Sequence, residues 1–195
     1  MLHLNQQDLT FRDKVMAEPG GENLLRCYSC GTCMAACLVR RQDPAYNPHR
    51  IMHMAILGLQ EEVLASHLIW LCSACDECYA HCPQDIRISD LFKAFRTIAL
   101  RKGYSPPDPV VRVNERTCVA CGLCVEVCPY DAVELVQKRV LGREKSVAQV
   151  NAALCMGCGV CAASCRSASI DLLDYDDESL LQHIQHDLQG VEVAV

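Results

Sequence analysis

Sixteen cysteines stand in four copies of one spacing, C-x-x-C-x-x-C-x-x-x-C, with none left over. The copies are Cys27/Cys30/Cys33/Cys37, Cys72/Cys75/Cys78/Cys82, Cys118/Cys121/Cys124/Cys128 and Cys155/Cys158/Cys161/Cys165. Thiolates at this spacing suit [4Fe–4S] cubanes, in which three close cysteines hold one cluster and the fourth is lent to its neighbour. Four copies therefore predict four [4Fe–4S] clusters and one-electron chemistry, with no catalytic residue in the chain itself. Zinc is disfavoured, because its sites want four ligands, commonly two separated C-x-x-C hooks, and have no use for a third cysteine at another two-residue gap. With every cysteine assigned to iron, none remains for a thiol nucleophile or a redox dithiol.

Positioning these ligands requires two different settings. Ser105-Pro106-Pro107-Asp108-Pro109 cannot continue a helix or a sheet interior, so 105–109 reads as an extended linker that divides the motifs two and two. Ligand exchange within each pair then assigns Cys27, Cys30 and Cys33 with Cys82, and Cys72, Cys75 and Cys78 with Cys37. Beyond the linker it assigns Cys118, Cys121 and Cys124 with Cys165, and Cys155, Cys158 and Cys161 with Cys128.

The C-terminal half is an internal repeat. Val113-Asn114 before the third motif matches Val150-Asn151 before the fourth, Gly122 matches Gly159, and Ala132-Val133-Glu134-Leu135 matches Ser169-Ile170-Asp171-Leu172. Short β-branched runs flanking each motif predict strands, with a short helix in each motif's tail and glycine where backbone passes close to a cluster. The N-terminal half lacks such runs. Asn47-Pro48 opens a helical segment with Ile51, Met54, Ala55, Leu59, Val63 and Leu64 on one face. Ser89 is placed to cap Asp90 to Lys102, with Leu91, Phe92, Phe95, Ile98 and Ala99 as its apolar stripe and Gly103 as its stop.

The expected fold class is α+β: a mainly α-helical two-cluster ferredoxin-like domain followed by a small pseudo-twofold β/α bacterial ferredoxin domain. The boundaries are an N-terminal extension at 1–21, the helical domain at 22–104, the linker at 105–109, the ferredoxin domain at 110–175, and a C-terminal amphipathic helix and tail at 176–195 carrying Leu180, Leu181, Ile184 and Leu188. Metal–thiolate bonds supply folding free energy that domains this small could not draw from a core alone.

Residues 1–20 lack the apolar core of a signal peptide, so the dense cysteines point to metal rather than secreted disulfides and the chain is expected in the cytoplasm. No apolar run approaches a membrane span; the best, 63–72, carries Ser66 and His67. A formal charge of −6 argues against nucleic acid, and loading four clusters on sixteen thiolates would bring it to roughly −14. Protein partners with basic or hydrophobic docking faces fit better.

Smaller features have two readings each. Proline follows the fourth ligand at Pro83 and Pro129, whereas Leu38 and Arg166 hold that place in the other motifs. Arg166 either raises a cluster's potential or is a solvated surface charge. His49 and His53 lie four apart with no evident third ligand, and His81 beside Cys82 either bonds near a cluster or faces water.

Cys27-Tyr28-Ser29-Cys30-Gly31-Thr32-Cys33, Asn47-Pro48, the helix Arg50 to Glu62, Ile69-Trp70-Leu71-Cys72 and Ile86-Arg87-Ile88-Ser89-Asp90-Leu91 together resemble the C-subunit of heterodisulfide reductase over roughly 22–104. The C-terminal part resembles a bacterial two-cluster ferredoxin, and its ending is similar to the ferredoxin tail of the A-subunit of heterodisulfide reductase. The resemblance implies a chain that is no enzyme on its own but the electron-transfer subunit of an oxidoreductase complex. It would relay electrons between the flavin-bearing, bifurcating A-subunit of that family and a B-subunit or other acceptor, with electrons entering from a hydrogenase- or dehydrogenase-linked partner. Modules like those of this family also serve other oxidoreductase complexes in anaerobes, which leaves the terminal acceptor open. A freely diffusing polyferredoxin, and an iron–sulfur subunit of another dehydrogenase or quinone reductase, are the alternatives.

Overall fold

The computed structural model describes residues 8, 10–106, 111–173, 175 and 177–189. The chain divides into two compact units, Met1–Pro107 and Asp108–Val195. Most of the expected linker, and residues 1–7 and 190–195, lie outside the described residues.

The first unit is helical, with no strand among its described residues. Its helices are α1 (Thr10–Met16), α2 (Thr32–Ala36), α3 (Leu38–Gln42), α4 (Pro48–Ile56), α5 (Gln60–Leu64), α6 (Glu77–Ala80) and α7 (Ile88–Arg101), with 3-10 turns at Leu24–Arg26 and His67–Trp70. The centre is α7, whose Leu91, Phe92, Phe95 and Ala99 are fully buried. The Phe92 ring lies 5.6 Å from that of Phe95 and 5.9 Å from that of Tyr46. Phe11 and Val15 of α1 join the same core, so residues 10–16 are built into this unit rather than appended to it.

Helix ends in this unit follow local chemistry only in part. Asn47 does cap α4, its side chain accepting from the Arg50 N–H at 3.0 Å with Pro48 in the first turn. The single helix expected over 50–62 is instead α4 and α5, because the chain takes a left-handed turn at Gly58 (φ 75) that a helix cannot continue through. Ser89 is not the cap of α7. It lies inside the first turn, buried, with its hydroxyl donating to Asp76, while the cap position belongs to Arg87 and has no side-chain bond. Gly103 (φ 86) closes α7 as expected, and Tyr104 N–H returns to the Ala99 carbonyl at 3.0 Å.

The second unit is a pseudo-twofold pair of antiparallel strand pairs. Strand β1 (Val111–Val113) pairs with β4 (Ile170–Leu172), and β2 (Val133–Val140) pairs with β3 (Arg143–Val150). Thus a strand stands before and after each cysteine motif, and each motif's tail forms one helical turn, α8 (Leu123–Glu126) and α9 (Val160–Ala163). The symmetry reaches single hydrogen bonds. Asn114 N–H donates to the Ser169 carbonyl and Asn151 N–H to the Ala132 carbonyl, both at 2.7 Å, so the entry to each motif is tied to the exit of the other. Each asparagine side chain also accepts from the backbone two residues on, Arg116 at 3.1 Å and Ala153 at 3.0 Å.

Helix α10 (Asp177–Gln189) ends the described chain, with Leu180, Leu181, Ile184 and Leu188 all exposed. Among the described residues no helix is long and apolar enough to cross a membrane.

Candidate metal centres

The four cysteine motifs share one backbone form. The residues on both sides of every second cysteine are left-handed: Ser29 and Gly31 around Cys30, Ala74 and Asp76 around Cys75, Ala120 and Gly122 around Cys121, Gly157 and Gly159 around Cys158. Alternation into the left-handed region turns successive N–H groups toward one side and builds a concavity for anions, a device found at iron–sulfur sites. Serine, alanine and aspartate hold this conformation at about 1–2 kcal/mol per residue, and such strain persists where the surroundings demand it. The φ values of Gly122 (80°) and Gly159 (77°) are therefore the reason for glycine there, and a Cβ on Gly159 would also stand 2.9 Å from Leu172 Cδ1.

These loops wrap hollows whose cysteines come from two motifs. One is lined by Cys155, Cys158, Cys161 and Cys128, beside Val133 and Val150. A second is lined by Cys72, Cys75, Cys78 and Cys37, with Tyr46 and Ile88. A third is lined by Cys118, Cys121, Cys124 and Cys165. For the remaining motif, Cys27, Cys30 and Cys82 stand close enough to act electrostatically on Cys33. Each set takes three cysteines from one motif and the last from its partner motif, and each lies within one unit.

The second cysteine of every motif, Cys30, Cys75, Cys121 and Cys158, is exposed, while Cys33, Cys118, Cys124 and Cys161 are buried. Three of the fourth cysteines receive a backbone bond four residues on: Ile86 N–H to Cys82 Sγ at 3.4 Å, Ala132 N–H to Cys128 Sγ at 3.3 Å, and Ser169 N–H to Cys165 Sγ at 3.2 Å. Such donors stabilise a thiolate. The backbone after Cys37 takes another course: α3 begins at the next residue, where the other three motifs turn through Asp85, Asp131 and Ala168 in left-handed conformation.

Burial and mutual charge set the thiol acidities. Burial, then the neighbouring Cys27, raises Cys33 to about 11. Burial, then Cys72, raises Cys78 to about 12. Burial also raises Cys124 and Cys161. The Thr32 hydroxyl, 3.3 Å away, and its backbone N–H lower exposed Cys30. At Cys165 burial acts upward but is outweighed by bonds from Ser169 and Ser167. Thiol groups so arranged would give up protons on binding iron.

Three cysteines of one motif with the fourth of its partner, beside left-handed backbone of the kind that forms anion nests, are the donor set that suits a [4Fe–4S] cubane.

Other residues marked by the sequence fall outside these hollows. Arg166 is exposed, in the manner of a solvated surface charge. The His81 ring bonds to the Glu77 carbonyl at 2.9 Å. The His49 and His53 rings lie 4.5 Å apart, tilted by 40°, and His53 Nε2 meets the Ser29 hydroxyl at 2.6 Å between two cysteines of the first motif. Sequence reasoning passed over Arg96 and Tyr46. Arg96 is 2% exposed and donates to the carbonyls of Ile69, Trp70 and Cys72 at 2.8, 3.2 and 2.8 Å. The signal was present: Phe92, Phe95, Arg96 and Ala99 share one helical stripe, and a charged residue inside an apolar stripe is there for a reason.

Comparison with known proteins finds iron–sulfur relatives. Family models described as 4Fe-4S dicluster domains match residues 23–86, 71–132 and 117–169. The match over 71–132 joins motifs two and three, which reflects their shared spelling; the observed hollows draw on motifs one and two, or three and four. Over 100 residues, 51% of the chain, it is 34% identical to the C-subunit of the H(2):CoB-CoM heterodisulfide,ferredoxin reductase of Methanothermobacter thermautotrophicus, covering 53% of that protein. Over 78 residues, 40% of each chain, it is 42% identical to the iron-sulfur C-subunit of the CoB--CoM heterodisulfide reductase of Methanopyrus kandleri. Over 122 residues, 63% of the chain, it is 34% identical to the C-subunit of the Ferredoxin:CoB-CoM heterodisulfide reductase of Methanosarcina mazei, covering 71% of it. The chain spans about half the length of the first of these relatives.

Proposed function

The chain belongs to the family of heterodisulfide reductase C-subunits, and from that premise we propose that it is the electron-transfer iron–sulfur subunit of a heterodisulfide reductase-like complex. The sixteen cysteines would hold four [4Fe–4S] clusters in the pairing set out above: Cys27, Cys30, Cys33 with Cys82; Cys72, Cys75, Cys78 with Cys37; Cys118, Cys121, Cys124 with Cys165; Cys155, Cys158, Cys161 with Cys128. When bound, each cubane supplies a site that takes up and gives back one electron. The observation that carries the proposal is the meeting of three cysteines of one motif with the fourth of its partner around one hollow, seen three times over.

The protein's own part is to hold, screen and expose. Buried Cys33, Cys124 and Cys161 would hold the inner side of three of the centres, and exposed Cys30, Cys121 and Cys158 leave their outer side within reach of a partner. Apolar Tyr28, Val119 and Val160, each next to a cysteine and exposed, offer docking surface there. The partners that fit are a flavin-bearing protein like the family's A-subunit, an acceptor like its B-subunit or of another kind, and a hydrogenase- or dehydrogenase-linked protein as electron input. In this reading the C-terminal part is a second module, like that of the family's A-subunit, joined to the first, and the chain works in the cytoplasm. For the Methanosarcina mazei relative, the name puts ferredoxin and the CoB-CoM heterodisulfide on either side of the reaction, and these are the donor and acceptor classes to try first.

The test is anaerobic purification of the native protein from its source, with identification of what accompanies it. Co-purification with a flavoprotein, and roughly sixteen iron atoms per chain, is the expected result. A chain that elutes alone would make it a diffusing polyferredoxin, and a membrane cytochrome as companion would place it in a quinone reductase.

A further inference from the structure

A charge buried beside one of the four centres makes that centre unlike the others. Among the described residues the buried polar and charged side chains are Gln60, Ser89, Arg96 and Ser169, so Arg96 is the sole full charge in that set. It reaches from the core face of α7 to the loop that carries the second motif. Its Nη2 donates to the carbonyl of Cys72 itself at 2.8 Å, and its guanidinium carbon lies 5.8 Å from the Trp70 ring centroid. Tyr46, 1% exposed, lines the same hollow as Cys37, Cys72, Cys75 and Cys78. Its hydroxyl is a hydrogen-bond partner of the Cys72 thiol.

Arg96 thus fixes a positive charge at the segment that carries Cys72, and Tyr46 stands at the wall of the same hollow. Reduction brings in one electron from a low-potential one-electron donor, with no proton, so the cubane and its thiolates become more negative by a whole charge. Exclusion of water resists that change. A fixed cation in a medium of low dielectric favours it far more than an exposed one would, and net charge, hydrogen bonds to sulfur and solvent exposure are the levers on cluster potential. The other three centres have neutral donors: Thr32 at Cys30, the Ala132 N–H at Cys128, and Ser167 with the Ser169 N–H at Cys165. Arg166, beside Cys165 in the sequence, is exposed and screened by water.

We propose that Arg96, helped by Tyr46, raises the potential of the cluster held by Cys37, Cys72, Cys75 and Cys78, so that this centre takes up an electron more readily than it would without the buried charge. This rests on the four-cluster assignment above. Arg96 acts through the Cys72 segment and its field, and it neither ligates iron nor moves a proton.

The experiment is EPR-monitored potentiometry with iron analysis on the full loaded chain, the cluster in question being identified by its loss in Cys75→Ala. Arg96→Gln is expected to make that one cluster at least tenfold harder to reduce, a shift of about 59 mV for one electron, with the other three unmoved and iron unchanged. Arg96→Lys, which keeps the charge, is expected to keep most of the potential. Full iron with an unshifted potential in Arg96→Gln would overturn the proposal, and so would an equal fall in Arg96→Lys, which would make the effect one of loop position. Should Arg96→Gln lose the cluster, Tyr46→Phe decides: a smaller downward shift of the same cluster supports the proposal and no shift sinks it. An unmodified chain with no reducible cluster dependent on Cys75 would overturn the four-cluster assignment as well, and iron analysis of that chain separates the two failures.

Discussion

At the scale of single residues, the fourth cysteine of each motif is the informative one. If Cys128 serves the cluster of Cys155, Cys158 and Cys161, Cys128→Ala should cost about a quarter of the iron. The EPR signal lost should be the one lost in Cys158→Ala and not the one lost in Cys121→Ala; the reverse would mean that each motif keeps its own fourth ligand. The buried thiols also make a pH prediction for the iron-free chain. Cys33 is raised from 9.0 to about 11 and Cys78 from 9.0 to about 12, chiefly by burial. Raised values mean that the fold holds these protons more tightly than the unfolded chain does. Their contribution is therefore complete below pH 9.0 and lost as pH rises from 9.0 toward about 12. Urea midpoints of the iron-free chain should fall across that window, and a midpoint that rises there would contradict the burial of these thiols. The sixteen candidate ligands stand out by their spacing, because a short loop around a cubane imposes that spacing. Arg96 does not, because its meaning depends on Ile69, Trp70 and Cys72, 24 to 27 residues away in the chain.

At the scale of elements, the motifs depend on backbone conformations that only some side chains tolerate. Gly159→Ala must carry a left-handed alanine and a Cβ 2.9 Å from Leu172 Cδ1, whereas Gly31→Ala meets no protein atom within 4 Å. Gly31→Ala should cost about 1–2 kcal/mol from backbone strain and Gly159→Ala more, read as urea midpoints of loaded chains. Equal costs would show that Leu172 gives way freely. Asn47→Ala removes the acceptor for Arg50 N–H at the start of α4 and should cost about 1 kcal/mol, with iron content unchanged. Capping at Asn47-Pro48 was readable because it is local chemistry. The cap of α7 was misplaced for the opposite reason: Ser89 has the right side chain, but its hydroxyl is taken by Asp76, 13 residues earlier. The break between α4 and α5 was hidden since the apolar stripe runs on through Leu59 and Val63, and a single glycine, Gly58, redirects it.

At the scale of the whole molecule, each unit has its own apolar core and its own pair of motifs. Cutting the chain between residues 106 and 111 should therefore leave two fragments that each take up two clusters; a fragment that binds none would show that its ligands or its stability come from the other. Residues 10–16 must stay with the first fragment, since Phe11 and Val15 lie in its core. Composition and spacing by themselves determined that this chain handles electrons through iron and thiolate, that its halves differ, and that the C-terminal half is a repeat. These are legible because metal ligation and turn chemistry act over a few residues. Tertiary structure decided which cysteines face one another, that the short helix at 10–16 belongs to the core, and that one centre has a buried cation beside it. Those outcomes depend on packing between segments far apart in sequence, where burial and the electrostatic field are set by neighbours that no local pattern names.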